Sequence, residues 1–282
     1  MPLAISAHRV FLKAELVKRY DDVGTCIYCR RSPPDVVLTD EHIIPDGLRG
    51  DLLLPKSSCL ECAKVTGRVE QWALRHILAQ PRGALGVKSR KKRPKQTHLK
   101  MKVGPENDQT ETEVPFMEEM PAFLILFTSD LLPGILRGAS KDEPPQLRVM
   151  LATQSDFNER GKKTIGEGSY RYGMWMHVGV FGQMIAKICH AYAVAVLGLN
   201  GFEPFLTSYI LASEPEFDGF RIASIMTIGH GDELHDISIS YENAPIPTAV
   251  GTAFQQVYVV RFRLFAPLNG PAFICVVGKK AA

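Results

Sequence analysis

CIYCRRSPPDVVLTDEHIIPDGLRGDLLLPKSSCLECAKVTGRVE, residues 26–70, is the stretch on which the fold of this 282-residue chain turns. Two C-x2-C pairs, Cys26/Cys29 and Cys59/Cys62, stand 29 residues apart. Four thiolates so arranged form the ligand set of a tetrahedral structural Zn²⁺. Two disulfides are the alternative. No apolar segment of the signal type heads the sequence, so a cytoplasmic location is expected, where thiols stay reduced and paired C-x2-C favours metal. A clamp of this kind closes the residues between the pairs into a loop of fixed shape. Within that loop Val36, Val37 and Leu38 read as one strand and Leu52 to Leu54 as a second, with Pro45, Gly47 and Gly50 as turn chemistry between them. After Cys62, the spacing of Val65, Val69, Trp72 and Leu74 or His76 predicts a helix that Pro81 ends. The pattern is a ββα unit, with Glu41 and His42 beside the hairpin.

The element EHIIP at 41–45, flanked by C-x2-C on both sides, resembles the HNH endonucleases, the ββα-metal nucleases. The resemblance covers about the first hundred residues. It implies that His42 is a general base and that Glu41 binds a catalytic divalent ion such as Mg²⁺, with Asp40 the runner-up ligand. The family usually reads C-x2-C-N, its asparagine being a further ligand, and here that place holds Ala63. Glu70, seven residues further along the same helix, is the candidate replacement. Asp51 best matches the polar residue that the family carries ahead of the second strand. The alternatives are a solvated helix carboxylate for Glu70, a turn residue for Asp51 and a buried packing histidine for His42. The implied chemistry is coherent: a neutral imidazole takes the proton of the attacking water, and a carboxylate-held hard ion stabilises charge on the phosphate.

Charge separates the chain into two parts. Residues 1–102 hold 20 Lys and Arg against 10 Asp and Glu, and the remainder 13 against 20, so the zinc-binding part is the one suited to a polyanion. Residues 1–20 suggest a short helix. From Arg82 to Lys102 there are nine basic side chains and no acidic one. Arg82, Lys88, Arg90, Lys91, Lys92, Arg93 and Lys95 are therefore expected to form a strap for backbone phosphate, with a solvated linker as the alternative. No aromatic residue interleaves them, which argues against base stacking.

VGPENDQTETEVP, residues 103–115, reads as a domain boundary. Residues 1–102 are then the HNH-like domain with its strap, and 103–282 a second domain. There AFLILF at 122–127 and LRVML at 147–151 predict strands. The apolar segment from Val178 to Leu199 contains Lys187 and His190, which favours a core helix over a membrane span. FRIASIMTI, HDISISY, FQQVYVVRFRLF and PAFICVV predict an antiparallel sheet. GHGDELHD, with His230, Asp232, His235 and Asp236, reads as a hairpin loop. The expected class is α+β, a zinc-stabilised ββα-metal domain followed by an antiparallel sheet with a central apolar helix.

The reading is a metal-dependent endonuclease acting on nucleic acid, with DNA the expected partner, structural Zn²⁺ and catalytic Mg²⁺ or a similar ion. The second domain would recognise, regulate or mediate homodimerisation. A catalytically inactive zinc-knuckle nucleic-acid-binding protein is the competing reading, and a purely structural interaction protein the third.

Overall fold

The computed structural model describes residues 19–87, 98–105, 108, 110–115, 122–129, 131–153, 158–159, 169–171, 176–227, 233–248 and 251–281. The N-terminal helix expected ahead of residue 19 lies outside the described residues, as do strap residues Lys88, Arg90, Lys91, Lys92, Arg93 and Lys95 and the loop residues His230 and Asp232.

Strand β1 (Leu38–His42) pairs antiparallel with β2 (Leu53–Cys59), from Leu38 opposite Cys59 to His42 opposite Leu53. The register shifts between Thr39 and Glu41, opposite the stretch where Lys56 takes φ 45° and donates its backbone N–H to Asp40 Oδ1 at 3.1 Å. The turn between the strands is a short 3-10 helix, Asp46–Leu48. Gly50 closes it because a Cβ there would lie 1.9 Å from the carbonyl oxygen of Ile44. Helix α1 (Leu60–His76) follows β2 directly and buries Cys62, Thr66 and Ala73 against the hairpin. It stops before Pro81, which instead sits in the first turn of α2 (Ala79–Ala84), where a missing N–H costs little.

The segment expected to be a domain boundary carries β structure. Strands β3 (His98–Gly104) and β4 (Thr110–Pro115) form a hairpin, and the expected boundary between residues 102 and 103 falls inside β3. The reason is visible in the pairing: exposed Lys100 and Lys102 stand opposite exposed Glu113 and Glu111, so opposite charges face each other along the ladder. Composition alone reads those charges as solvent-facing linker.

Strand β5 (Phe123–Thr128) pairs with β6 (Arg148–Thr153), with the short α3 (Gly134–Arg137) between them in sequence. Strand β7 (Ser169–Arg171) joins the β3 edge. Helix α4 (Val178–Leu197) comes next, and from Phe181 to Val194 every residue is buried. One helix is thus long and apolar enough to cross a membrane, and 78% of its apolar window is buried inside the protein. A helix apolar on all sides needs cover on all sides. That cover comes from α1, from α5 (Thr207–Ile210), and from a five-stranded sheet.

The sheet contains β8 (Phe202–Pro204), β9 (Ile222–Ile225), β10 (His235–Thr248), β11 (Gly251–Leu264) and β12 (Ala272–Lys280). Its order is β10-β11-β12-β8, with β9 also on β12, and each pairing is antiparallel. Phe127, Phe181, Phe217 and Phe273 meet edge-to-face between α4 and the sheet at 4.9–6.0 Å between ring centroids. The fold is a mixed α/β arrangement with antiparallel sheets. One contiguous core runs from Cys26 and Ile27 through α4 to Val277, so the cysteine-bearing part packs into the rest of the chain.

Candidate functional site

The Sγ atoms of Cys26, Cys29, Cys59 and Cys62 all lie within 4.8 Å of one another, and Cys29 Sγ is 3.7 Å from Cys59 Sγ. Sulfurs at the corners of a Zn–S tetrahedron stand roughly 3.8 Å apart, given Zn–S of about 2.3 Å, whereas a disulfide needs about 2.05 Å. All four are free thiols. The first pair is held by a tight knuckle, with Arg30 at φ 64°, its N–H on Cys26 O at 2.9 Å, and Cys26 N–H on Arg31 O at 2.8 Å. The second pair straddles the β2–α1 junction. Burial pushes the Cys29 thiol up, but bonds from the Arg31 side chain and backbone outweigh it and bring it down to about 6. Arg31 Nε donates to Cys29 Sγ at 3.3 Å, and its terminal nitrogen lies 3.7 Å from Cys59 Sγ and also pairs with Glu61. Burial raises Cys26 and Cys62. A metal would overcome that by ionising every ligand. The four side chains suit a metal ion such as zinc, with Arg31 offsetting part of the thiolate charge.

Beneath the hairpin, Glu41 and Glu70 meet, although they lie on different elements. What they share is the ammonium of Lys187 from α4, whose Nζ is 2.7 Å from Glu41 Oε1 and 2.7 Å from Glu70 Oε1. The same Nζ donates to the carbonyl oxygen of His42 and lies 3.4 Å from that of Ile43. Side-chain exposure is 1% for Lys187, 8% for Glu41 and 21% for Glu70, so the ion cluster is closed. Burial alone would discharge Lys187, but the two carboxylates more than compensate and raise its pKa. Burial, with the charge of Glu70, raises the Glu41 carboxyl against the pull of Lys187. Tyr28, only 4% exposed, has its hydroxyl raised first by burial and then by Glu41 and Glu70, and that hydroxyl has no hydrogen-bond partner.

Strand alternation sets His42 on the face opposite Glu41, and Asp40, at the register shift, is exposed. His42 is partly exposed, and its Nδ1 is closed off without a partner. Asp51 is exposed in the turn ahead of β2. Among the described residues, the four cysteines are the only group of three or more His, Cys, Asp or Glu whose donor atoms converge closely enough for a metal. Glu41, Asp51 and Glu70 do not form one. Arg82 is also used differently from the expectation of phosphate binding. Its Nε donates to Gly47 O at 2.6 Å and its Nη1 to Leu74 O at 3.1 Å, tying the hairpin turn to α1, and burial lowers its pKa.

The residues that sequence reasoning missed join the hairpin to the rest. Besides Lys187, His190 on α4 is 0% exposed and bonds through Nε2 to Ile27 O at 2.9 Å inside the cysteine knuckle. His235 Nε2 bonds Leu48 O at 2.8 Å while its Nδ1 accepts from Phe265 N at 3.2 Å. Far from being a solvated loop position, His235 pins the sheet to the hairpin turn. The signal was present for α4, since a lysine and a histidine inside an apolar run need buried partners, but nothing local says which. Compared with models of protein families, with curated proteins and with solved structures, the chain matches none.

Proposed function

We propose that this chain is an HNH-type endonuclease that hydrolyses phosphodiester bonds of nucleic acid, DNA being the expected substrate, on a zinc-stabilised ββα unit. The observation that carries the reading is the position of His42. It ends β1 of a hairpin-plus-helix anchored by the four-thiol cluster, partly exposed, on the face away from the core. The backbone there is held by Lys187, which grips the His42 carbonyl oxygen. His42 acts as general base on water. The charge asymmetry of the sequence brings the polyanion to this part of the molecule.

In this reading the metal part of the family pattern is changed. Glu41 already has a cation, so its role is to position the strand end rather than to bind a metal. Mg²⁺ commonly takes only one or two protein carboxylates, with phosphate oxygens and water completing its shell. Asp40, two residues before His42 and paired at the surface with Arg19 at 3.7 Å, and Asp51, exposed ahead of β2, are the carboxylates that would serve by exchanging their present partners for the ion, which would stabilise the charge developing on phosphate.

A second reading, nucleic-acid binding without hydrolysis, is favoured by one observation: the seat between Glu41 and Glu70 holds Lys187, while Ala63 supplies no ligand. Plasmid nicking with Mg²⁺, Mn²⁺ or Ni²⁺ separates the two. His42→Ala is expected to lower cleavage by about 10² to 10⁴ with zinc content and DNA affinity unchanged. Wild-type protein that cleaves nothing, or a His42→Ala variant that cleaves normally, removes the nuclease reading.

A further inference from the structure

We infer that Lys187 is a tethered cation occupying the seat of a hard metal ion, so that Glu41, Glu70 and the carbonyl oxygens of His42 and Ile43 form a site that takes Mn²⁺ or Mg²⁺ only when the lysine is removed. The inference rests on the geometry of the oxygens around Lys187 and does not require cleavage.

The geometry of the cradle is the argument. Four oxygens from two elements surround one nitrogen: Glu41 Oε1 and Glu70 Oε1 at 2.7 Å, His42 O in short contact, and Ile43 O at 3.4 Å. Two carboxylates and carbonyl oxygens are the donor set of a hard cation. An ammonium has three N–H groups for these four oxygens, so it cannot give each a full hydrogen bond. Its single positive charge also leaves two carboxylates half-neutralised. A divalent ion would match the charge, with water completing its shell beyond these oxygens.

Lys187 can nonetheless hold the seat permanently because it belongs to the middle of α4, buried on every side, and cannot swing into solvent. The cation is therefore supplied by the chain and independent of metal supply. Its bond to His42 O makes Lys187 a positioning residue for the end of β1. The seat faces the core, so an ion bound there would not meet a phosphodiester.

The experiment uses the zinc-loaded full chain, freed of loosely held divalent ions, with thermal unfolding and Mn²⁺ electron paramagnetic resonance as readouts. Wild type is expected to bind no Mn²⁺ that depends on Glu41 and Glu70. Lys187→Ala should melt lower in metal-free buffer, take up one Mn²⁺ per chain, and regain its melting temperature as it does so. Lys187→Ala combined with Glu41→Gln and Glu70→Gln should show neither uptake nor rescue. A purely structural salt bridge predicts the loss of stability without the metal response. If Lys187→Ala folds only when refolded with Mn²⁺, that recovery supports the inference; failure to recover in Mn²⁺ overturns it. It is also overturned if wild type binds an Mn²⁺ ion that Glu41→Gln/Glu70→Gln abolishes, or if folded Lys187→Ala ignores Mn²⁺. Neither readout involves cleavage, so a failure here leaves the nuclease reading to the nicking assay, and a chain that cleaves nothing leaves this inference standing.

Discussion

Acidification should loosen the hold of the sheet on the hairpin turn through His235. This imidazole is partly buried beside Phe262 and Phe265, with ring centroids 6.0 and 5.2 Å away. It acts as a neutral side chain, donating from Nε2 to Leu48 O and accepting at Nδ1 from Phe265 N–H. Burial lowers its pKa from 6.5 to about 4, against a smaller opposing effect of the Leu48 bond. Because the folded pKa lies below the unfolded one, the unfolded chain binds more protons between those values, and stability must fall as pH falls. The contribution is fully present above pH 6.5 and is lost progressively down to about pH 4. With one pKa unit equal to about 1.4 kcal/mol, the whole shift corresponds to roughly 3 kcal/mol. About 2 kcal/mol of this should disappear between pH 7.5 and 5. The assay is urea unfolding at pH 7.5, 6 and 5 for wild type and His235→Gln. The glutamine still offers a donor toward Leu48 O but does not titrate. It should start less stable, since Phe265 N–H loses its acceptor, at about 1–3 kcal/mol, and then show a shallower pH dependence by about 2 kcal/mol. Other acid-sensitive groups, among them His190 and the four clustered cysteines, act on both proteins and cancel in the difference. Parallel losses in the two proteins would refute the claim that His235 is buried neutral.

Purified protein is expected to carry one zinc per chain by elemental analysis, and Cys59→Ser should lose it and unfold the hairpin unit, because a structural site of this kind supplies folding free energy directly; stoichiometric absence of zinc in well-folded wild type would end that reading. Replacing Arg90, Lys91, Lys92 and Arg93 with Ala should weaken DNA binding at all sequences and flatten the slope of log K against log salt by nearly one unit for each phosphate that is no longer neutralised. An unchanged slope in fluorescence anisotropy titrations would reduce the strap to a linker.

Several features of this chain are legible in the sequence because they depend on local chemistry. Two C-x2-C pairs bracket the loop at a spacing that a single ion can gather, and the four thiols do converge. Apolar runs with turn residues between them mark β2, β5 and the strands from β9 to β12, since alternation and turn formation are decided within a few residues. The strand expected at Val36, Val37 and Leu38 meets β1 only at Leu38, because β1 is the mostly polar run LTDEH, which carries Glu41 and His42 within the hairpin and is held by its pairing with β2. The helix from Val178 to Leu197 is legible for the same reason. Partners are another matter. Lys187 and His190 stand out as polar residues in an apolar helix, yet only tertiary packing brings them to Glu41 and Ile27, across 146 and 163 positions of chain. Glu41 and Glu70 converge, but which cation lies between them is decided by α4, an element outside residues 26–70. Arg82 and His235 likewise look like a surface base and a loop histidine until folding sets each against a backbone carbonyl. Spacing along the chain specifies what residues nearby can do together. The long-range pairings that complete a buried charge depend on which surfaces the whole core brings face to face, and no stretch of sequence encodes that alone.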